Sequence, residues 1–87
     1  MKIKDGFILR EVAGNYIVVA VGNAVKDFNG VITLNEVGAF LWKKLEGGAT
    51  EEDLVDALLS EDEVEKDVAE ADVKKFVDKL VGAGLVK

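Results

Sequence analysis

The chain contains no cysteine, no histidine and no proline, and each absence narrows what it can be. Without cysteine there is neither a disulfide nor a thiolate metal site, so stability must come from burying apolar side chains. Without histidine as well, zinc and other transition metals lack their usual ligands. Without proline, no polyproline linker divides the chain. These absences favour one hydrophobic core in a protein of the reducing cytoplasm.

Groups that could perform chemistry are also scarce. The chain has one serine, Ser60, one arginine, Arg10, and no imidazole that could activate a hydroxyl group, so a hydrolytic triad is excluded. Carboxylates crowd residues 61–72, but this stretch lacks the glycine of a calcium-binding EF-hand loop and suits the start of a helix. We expect no catalytic residue, no bound metal and no cofactor.

Length and charge limit the class of protein further. Because 87 residues with 49% hydrophobic content can build one core but not two, residues 1–87 are expected to form a single domain. No uncharged stretch approaches the ~20 residues that cross a bilayer, and no signal-peptide pattern begins the chain. A net charge of −6 disfavours nucleic acid, whose backbone is bound through lysine and arginine. We expect a cytoplasmic monomer or weak dimer that binds neither membrane nor nucleic acid.

The first third of the sequence has the composition of strands. Residues 7–12 and 16–21 are rich in β-branched and aromatic side chains and flank a Gly-Asn turn, which predicts a hairpin. Asn29-Gly30 is a turn signal that leads into a short third strand, from Val31 to Leu34.

From Asn35 onward, apolar residues recur with helical spacing. Asn35 is the expected N-cap of a first helix that ends at Gly47-Gly48, and Thr50 opens a second helix with a capping-box pattern. A third helix is expected over about residues 65–81, with Gly82 as its stop. Its predicted buried face comprises Ala69, Val73, Phe76, Val77, Leu80 and Val81. The order predicts an α+β fold, a three-stranded antiparallel sheet followed by three helices, which can also be drawn as a winged helix-turn-helix.

Apolar residues beside these elements allow two interpretations. Trp42 could anchor a partner, but its neighbours Ala39 and Leu45 are also apolar and favour a place in the core. Leu85 and Val86 follow the third helix, and we expect them to fold back against the same core.

Residues 27–42 resemble the central signature of the PqqD-like family, and they read Asp-Phe-Asn-Gly-Val-Ile-Thr-Leu-Asn-Glu-Val-Gly-Ala-Phe-Leu-Trp. Further features agree in order and spacing: Gly48-Ala49-Thr50 before an acidic helix start, Asp72-Val73 before Phe76, and Leu80 with Gly84-Leu85-Val86. The resemblance therefore covers nearly the whole chain. In one departure, Asp62 stands where relatives commonly carry an aromatic residue.

The resemblance implies a non-catalytic domain that recognises the leader segment of a ribosomally made precursor peptide. It implies a winged-helix-like fold in which the leader adds as an extra strand beside the third strand and lies against the third helix. A partner enzyme, often a radical S-adenosylmethionine protein, then modifies the peptide. The residues expected to contact the leader are Val31, Ile32, Thr33, Leu34, Val73, Lys74, Phe76, Val77 and Leu80. Lys74 and Lys75 are expected to pair with acidic leader residues.

Two rival functions remain open at this point. A winged-helix DNA-binding regulator would fit the predicted fold, but its recognition helix should be basic, whereas both later helices begin with clustered acids. A carrier domain would need an attachment residue, and Ser60 is the only serine.

Overall fold

A computed structural model of the chain describes residues 1–26, 30–61 and 64–86. Its elements, in chain order, are β1 (Phe7–Val12), β2 (Asn15–Ala20), a 3-10 helix (Gly22–Lys26), β3 (Val31–Leu34), α1 (Glu36–Glu46), α2 (Glu51–Glu61) and α3 (Lys66–Ala83). The predicted α+β fold, an antiparallel three-stranded sheet followed by three helices, is confirmed. The Asn29-Gly30 turn and the departure at Asp62 involve residues outside the described ranges.

The β1–β2 hairpin turns through Ala13 and Gly14, one residue earlier than predicted. Their φ angles of 52° and 82° are both positive, as a type I′ turn requires, and the twist of this turn matches that of the flanking strands. Asn15 is therefore not part of the turn but the first residue of β2, paired with Val12. A closed two-residue hairpin fixes the register of β1 against β2.

One face of the sheet packs on the helices. The strand order is β1-β2-β3, and Leu9, Val18 and Ile32 lie side by side in register on the core face. The helices supply the largest fully buried side chains, which include Leu41, Trp42, Leu45, Leu54, Leu58 and Leu80. Trp42 thus belongs to the core, as its apolar neighbours predicted. None of the helices in the described part of the chain is long and apolar enough to cross a bilayer.

The first two helices begin where their capping residues predicted. The Asn35 side chain accepts a hydrogen bond from the Gly38 amide at 2.7 Å, and α1 follows it directly. At α2, the Asp53 amide donates to Thr50 Oγ1, and the Thr50 amide donates to Asp53 Oδ2, each at 3.0 Å. This reciprocal pair is a capping box in which aspartate replaces the usual glutamate.

Replacing Thr50 by alanine is expected to lower the free energy of unfolding by about 1 kcal/mol, because the substitution leaves the Asp53 amide without its capping acceptor. Urea denaturation followed by circular dichroism measures the change. The matched control is Ser60→Ala, which removes a hydroxyl that only donates to the Asp56 carbonyl within α2 and is expected to cost less than about 0.5 kcal/mol. Equal losses in the two variants would show that the box does not stabilise the helix.

The predicted end of α3 is wrong by two residues. The helix continues through Gly82 to Ala83, and Gly84 ends it in the left-handed conformation, with φ at 75°. The Leu85 amide returns to the Leu80 carbonyl at 2.9 Å, a Schellman-type closure that turns the fully buried Leu85 back into the core. Glycine supplies that positive φ at low cost at position 84, whereas position 82 has no such requirement.

Val81, predicted to lie on the buried face of α3, is instead 57% exposed. The other five residues of the predicted face are buried: Ala69, Val73, Phe76, Val77 and Leu80. At about 100° per residue, Val81 lies roughly 100° around the helix from the centre of that stripe. Val81 follows Val77 by four residues and therefore lies at the margin of the buried stripe. No described residue covers that margin of α3.

The two ends of the described chain meet beside the helices. Ile3 and Val86 form an isolated antiparallel bridge, and the Lys4 amide donates to the Leu85 carbonyl at 2.8 Å. The Ala49 amide donates to the Met1 carbonyl at 2.9 Å. Ile3 and Leu85 are both buried, which confirms the expected return of the C-terminal residues to the core.

Candidate functional site

Within the described ranges, the outer edge of β3 has no neighbouring strand, because β3 pairs as a strand only with β2. The register decides which backbone groups face this edge. The two-residue turn makes Val12 and Asn15 a hydrogen-bonded pair, so the odd-numbered residues of β2 direct their N–H and C=O groups toward β1. The Val21 amide donates to the Gly6 carbonyl at 2.7 Å, which agrees with this alternation.

The even-numbered residues of β2 must therefore bond to β3. Tyr16 faces Leu34 and Val18 faces Ile32, which makes these the hydrogen-bonded pairs. Val31 and Thr33, the residues between them, direct their N–H and C=O groups away from β2 to the open edge. A strand edge without a neighbouring strand is the feature to which an extended chain adds as a further strand.

A groove with a volume of about 600 Å³ lies against this edge, bordered by β3, the start of α1 and α3. Its lining residues are Asn15, Thr33, Leu34, Asn35, Val37, Gly38, Leu41, Asp72, Lys75, Phe76 and Lys79. Leu34, Leu41 and Phe76 are buried in the core and still contribute to the lining, so the groove reaches the hydrophobic interior. An open backbone edge and a groove with both apolar and charged lining residues are thus adjacent.

Gly38 allows α1 to start close to β3. A Cβ atom at this position would lie 3.2 Å from the Leu34 Cβ and 3.3 Å from Asn35 Oδ1, both tighter than ordinary contacts. The same residue donates its amide to the Asn35 side chain. The glycine and the N-cap therefore fix the corner at which the strand becomes a helix, and this corner forms one end of the groove lining.

Three charged residues of α3 line the groove. Asp72, Lys75 and Lys79 follow one another at intervals of three and four residues, so they share one side of the helix. Lys79 Nζ donates a hydrogen bond to the Thr33 carbonyl at 3.1 Å. Asp72, which the sequence placed among the crowded carboxylates of residues 61–72, thus lies in the groove.

The structure brings together some of the residues predicted to contact a peptide. Thr33, Leu34 and Phe76 line the groove. Val31 and Ile32 belong to the same strand, where Val31 is 62% exposed and Ile32 packs against the core.

The remaining predicted contact residues lie elsewhere. Val73, Val77 and Leu80 are in the core, none more than 4% exposed, and are not part of the groove lining. Lys74 lines a separate cleft between α2 and α3, whose other lining residues are Glu51, Glu52, Val55, Glu70, Val73 and Asp78. On α3, the residues that do line the groove are Asp72, Lys75, Phe76 and Lys79.

Lys79 and the start of α1 line the groove but were not predicted from the sequence. A signal was present, because Lys79 follows Lys75 by four residues and Phe76 by three, which places all three on one side of a helix. The contribution of Val37, Gly38 and Leu41 had no such signal, because it depends on how closely α1 approaches β3.

Three strands followed by three helices agree with the fold that the PqqD-like resemblance implied. The family model described as coenzyme PQQ synthesis protein D (PqqD) matches residues 8–86, and the chain belongs to this family. Comparison with curated protein sequences finds no match.

Two solved structures are similar over nearly their whole length. One is TbiB1 in complex with the TbiA(beta) leader peptide, with 25% sequence identity and a TM-score of 0.78 over 100% of this chain and 95% of that chain. The other is lasso peptide synthetase B1 complexed with the leader peptide, with 22% identity and a TM-score of 0.75 over 99% of this chain and 95% of that chain. The second likeness concerns the fold alone.

The rival interpretations gain nothing from these findings. A DNA-binding role is disfavoured by the start of α2, where Glu51, Glu52 and Asp53 would repel phosphates. The Ser60 hydroxyl donates to the Asp56 carbonyl within α2. The described residues contain no group of three or more histidine, cysteine or acidic side chains placed to hold a metal ion.

Proposed function

We propose that the protein is a non-catalytic module that binds the leader segment of a ribosomally made precursor peptide and presents it to a modifying enzyme. The observation that carries this proposal is the open edge of β3, where Val31 and Thr33 offer backbone groups beside a groove partly lined by apolar side chains. An extended peptide can form hydrogen bonds with both residues and become a fourth strand.

Stable binding of a peptide requires both the backbone edge of β3 and the groove beside it. A backbone hydrogen bond contributes about 0.5–1.5 kcal/mol net, and Val31 and Thr33 together offer at most four groups. That sum, about 2–6 kcal/mol, offsets at most the lower end of the roughly 4–15 kcal/mol that association costs in lost freedom of motion. Burial of apolar side chains at about 1.5–3 kcal/mol each must supply the rest. Alternate side chains of the added strand would reach Leu34, Leu41 and Phe76, so we expect leaders with apolar residues at alternate positions.

The comparisons support this proposal. TbiB1, 25% identical over the whole of this chain, was solved with a leader peptide, and the family is named for a protein of coenzyme PQQ synthesis. By analogy we propose that this chain works beside an enzyme, for example a radical S-adenosylmethionine protein, which performs the modification. A single domain over residues 1–87, the absence of catalysis and a cytoplasmic location belong to the same proposal.

We revise the set of leader-contacting residues to agree with the geometry. Val31, Thr33 and Phe76 are proposed as direct contacts, with Leu34 and Leu41 behind them. Val73, Val77 and Leu80 would support Phe76 from the core without touching the peptide. Lys75 and Lys79 replace Lys74 as the cations that face the leader.

Titration of the ¹⁵N-labelled protein with a synthetic leader peptide, taken from a precursor gene beside its own, tests the proposal. The amides of Val31 and Thr33 are expected to shift most, since they would gain hydrogen-bond acceptors, and residues around Phe76 should follow. Leu9 and Glu11, whose amides face the opposite edge of the sheet, provide an internal control. Shifts confined to the cleft between α2 and α3 would refute strand addition at β3.

A further inference from the structure

The Lys79 side chain is hydrogen-bonded to the outer edge of β3, where a peptide would add. Its Nζ donates to the Thr33 carbonyl, which by the sheet register faces away from β2. A strand that pairs with Thr33 must donate an N–H to this carbonyl, whether it runs parallel or antiparallel to β3. Binding therefore takes the acceptor that the Lys79 ammonium uses in the free protein.

Few anionic groups surround the Lys79 ammonium that could replace its hydrogen bond to the Thr33 carbonyl. Among the described residues, neither Lys75 nor Lys79 forms an ion pair, and Asp72 is the one carboxylate in the groove lining. The groove lining thus carries a surplus of positive charge in a chain whose net charge is −6. A bound peptide would cover these two cations and partly remove them from water, which costs free energy unless an anion replaces the lost hydration.

We infer that Lys79 selects for peptide charge: the groove prefers an extended segment with aspartate or glutamate next to the residue that pairs with Thr33. This inference rests on the proposed function and adds the chemistry of the ligand. The peptide N–H takes the Thr33 carbonyl, the freed ammonium moves to the peptide carboxylate, and Lys75, one turn away on α3, reinforces the attraction. A lysine or arginine at the same peptide position would face two like charges, so the pair also rejects wrong sequences.

Selection from a displayed library of random peptides tests this inference. The wild-type protein should select peptides with an acidic residue at a fixed distance from alternating apolar residues. Lys79→Glu should select lysine or arginine at that position instead. A synthetic acidic peptide from the wild-type selection is expected to bind Lys79→Glu about tenfold more weakly, and exchanging its carboxylate for lysine should recover most of the loss. Raising the ionic strength to about 1 M, where the Debye length is about 3 Å, should shrink the difference.

Lys74→Glu is the matched control, because it makes the same change of charge on the same helix but in the cleft between α2 and α3. Its selected peptides should match those of the wild type. Equal behaviour of the two variants, or selected peptides without a preferred acidic position, would overturn the role of Lys79. If instead no selected peptide shifts the Val31 and Thr33 amides, strand addition itself fails. The two failures are therefore distinguishable, and circular dichroism checks that each variant is folded.

Discussion

Replacing Thr33 by proline is expected to weaken leader-peptide binding by at least about tenfold without unfolding the protein. Proline has no N–H, and the Thr33 N–H faces the open edge, so the substitution removes no bond between β3 and β2. A bound strand would lose one hydrogen bond, worth about 1 kcal/mol, and would meet the proline ring at its point of contact. Isothermal titration with the leader peptide measures the affinity, and thermal unfolding of the free protein checks the fold.

The other edge of the sheet offers a matched control. Glu11 faces Tyr16 in the register, and its N–H points away from β2 at the β1 edge, as that of Thr33 does at the β3 edge. Glu11→Pro should therefore leave peptide affinity unchanged. Ile32→Pro, by contrast, removes an N–H that bonds to β2 and should destabilise the fold by about 3 kcal/mol. If Thr33→Pro binds the peptide as well as Glu11→Pro does, the peptide does not add to β3.

Replacing Trp42 by alanine is expected to cost about 3–5 kcal/mol of stability, the largest effect of a single side chain in this core. Trp42 is fully buried and belongs to the cluster that joins the sheet to all three helices. At roughly 0.05–0.15 kcal/mol per residue, a chain of this length has only about 4–13 kcal/mol in total. The variant should therefore be marginally folded, which urea denaturation followed by circular dichroism will show.

Trp42→Phe distinguishes the contribution of the aromatic ring to stability from that of the buried indole N–H at the same position. The indole Nε1 is buried and has no hydrogen-bond partner among residues 1–26, 30–61 and 64–86. Phenylalanine keeps an aromatic ring there and removes that buried donor, so its loss should be less than half that of alanine. Losses equal to those of alanine would mean that a phenyl ring recovers none of the stability, and would contradict packing of an aromatic ring as the source of the effect.

Local chemistry made much of the fold predictable from the sequence. The extents of β1 and β3 follow from β-branched runs, and Asn35 and Thr50 mark the starts of α1 and α2 because their side chains satisfy free amides at a helix end. The end of α3 was less predictable, since Gly82 and Gly84 are both plausible stops. Only the return of Leu85 into the core decides between them.

The groove was less predictable than the elements around it, for a physical reason. Periodicity identifies the most buried stripe of a helix, and on α3 that stripe includes Val73, Val77 and Leu80. A binding surface instead uses residues at the margin of the stripe, such as Lys75 and Lys79, whose surroundings depend on what lies across from them. The spacing of residues along the sequence does not indicate where β3 lies relative to α3.

The meeting of Ile3 with Val86 has a consequence for how the domain can be connected. Because the two ends are adjacent, this domain could be inserted into a surface loop of a larger protein. Such an insertion into an enzyme would require little rearrangement of the host. By the same geometry, a short linker across the bridge should permit circular permutants that open at the Ala13-Gly14 turn. The open edge of β3 would be preserved in either arrangement.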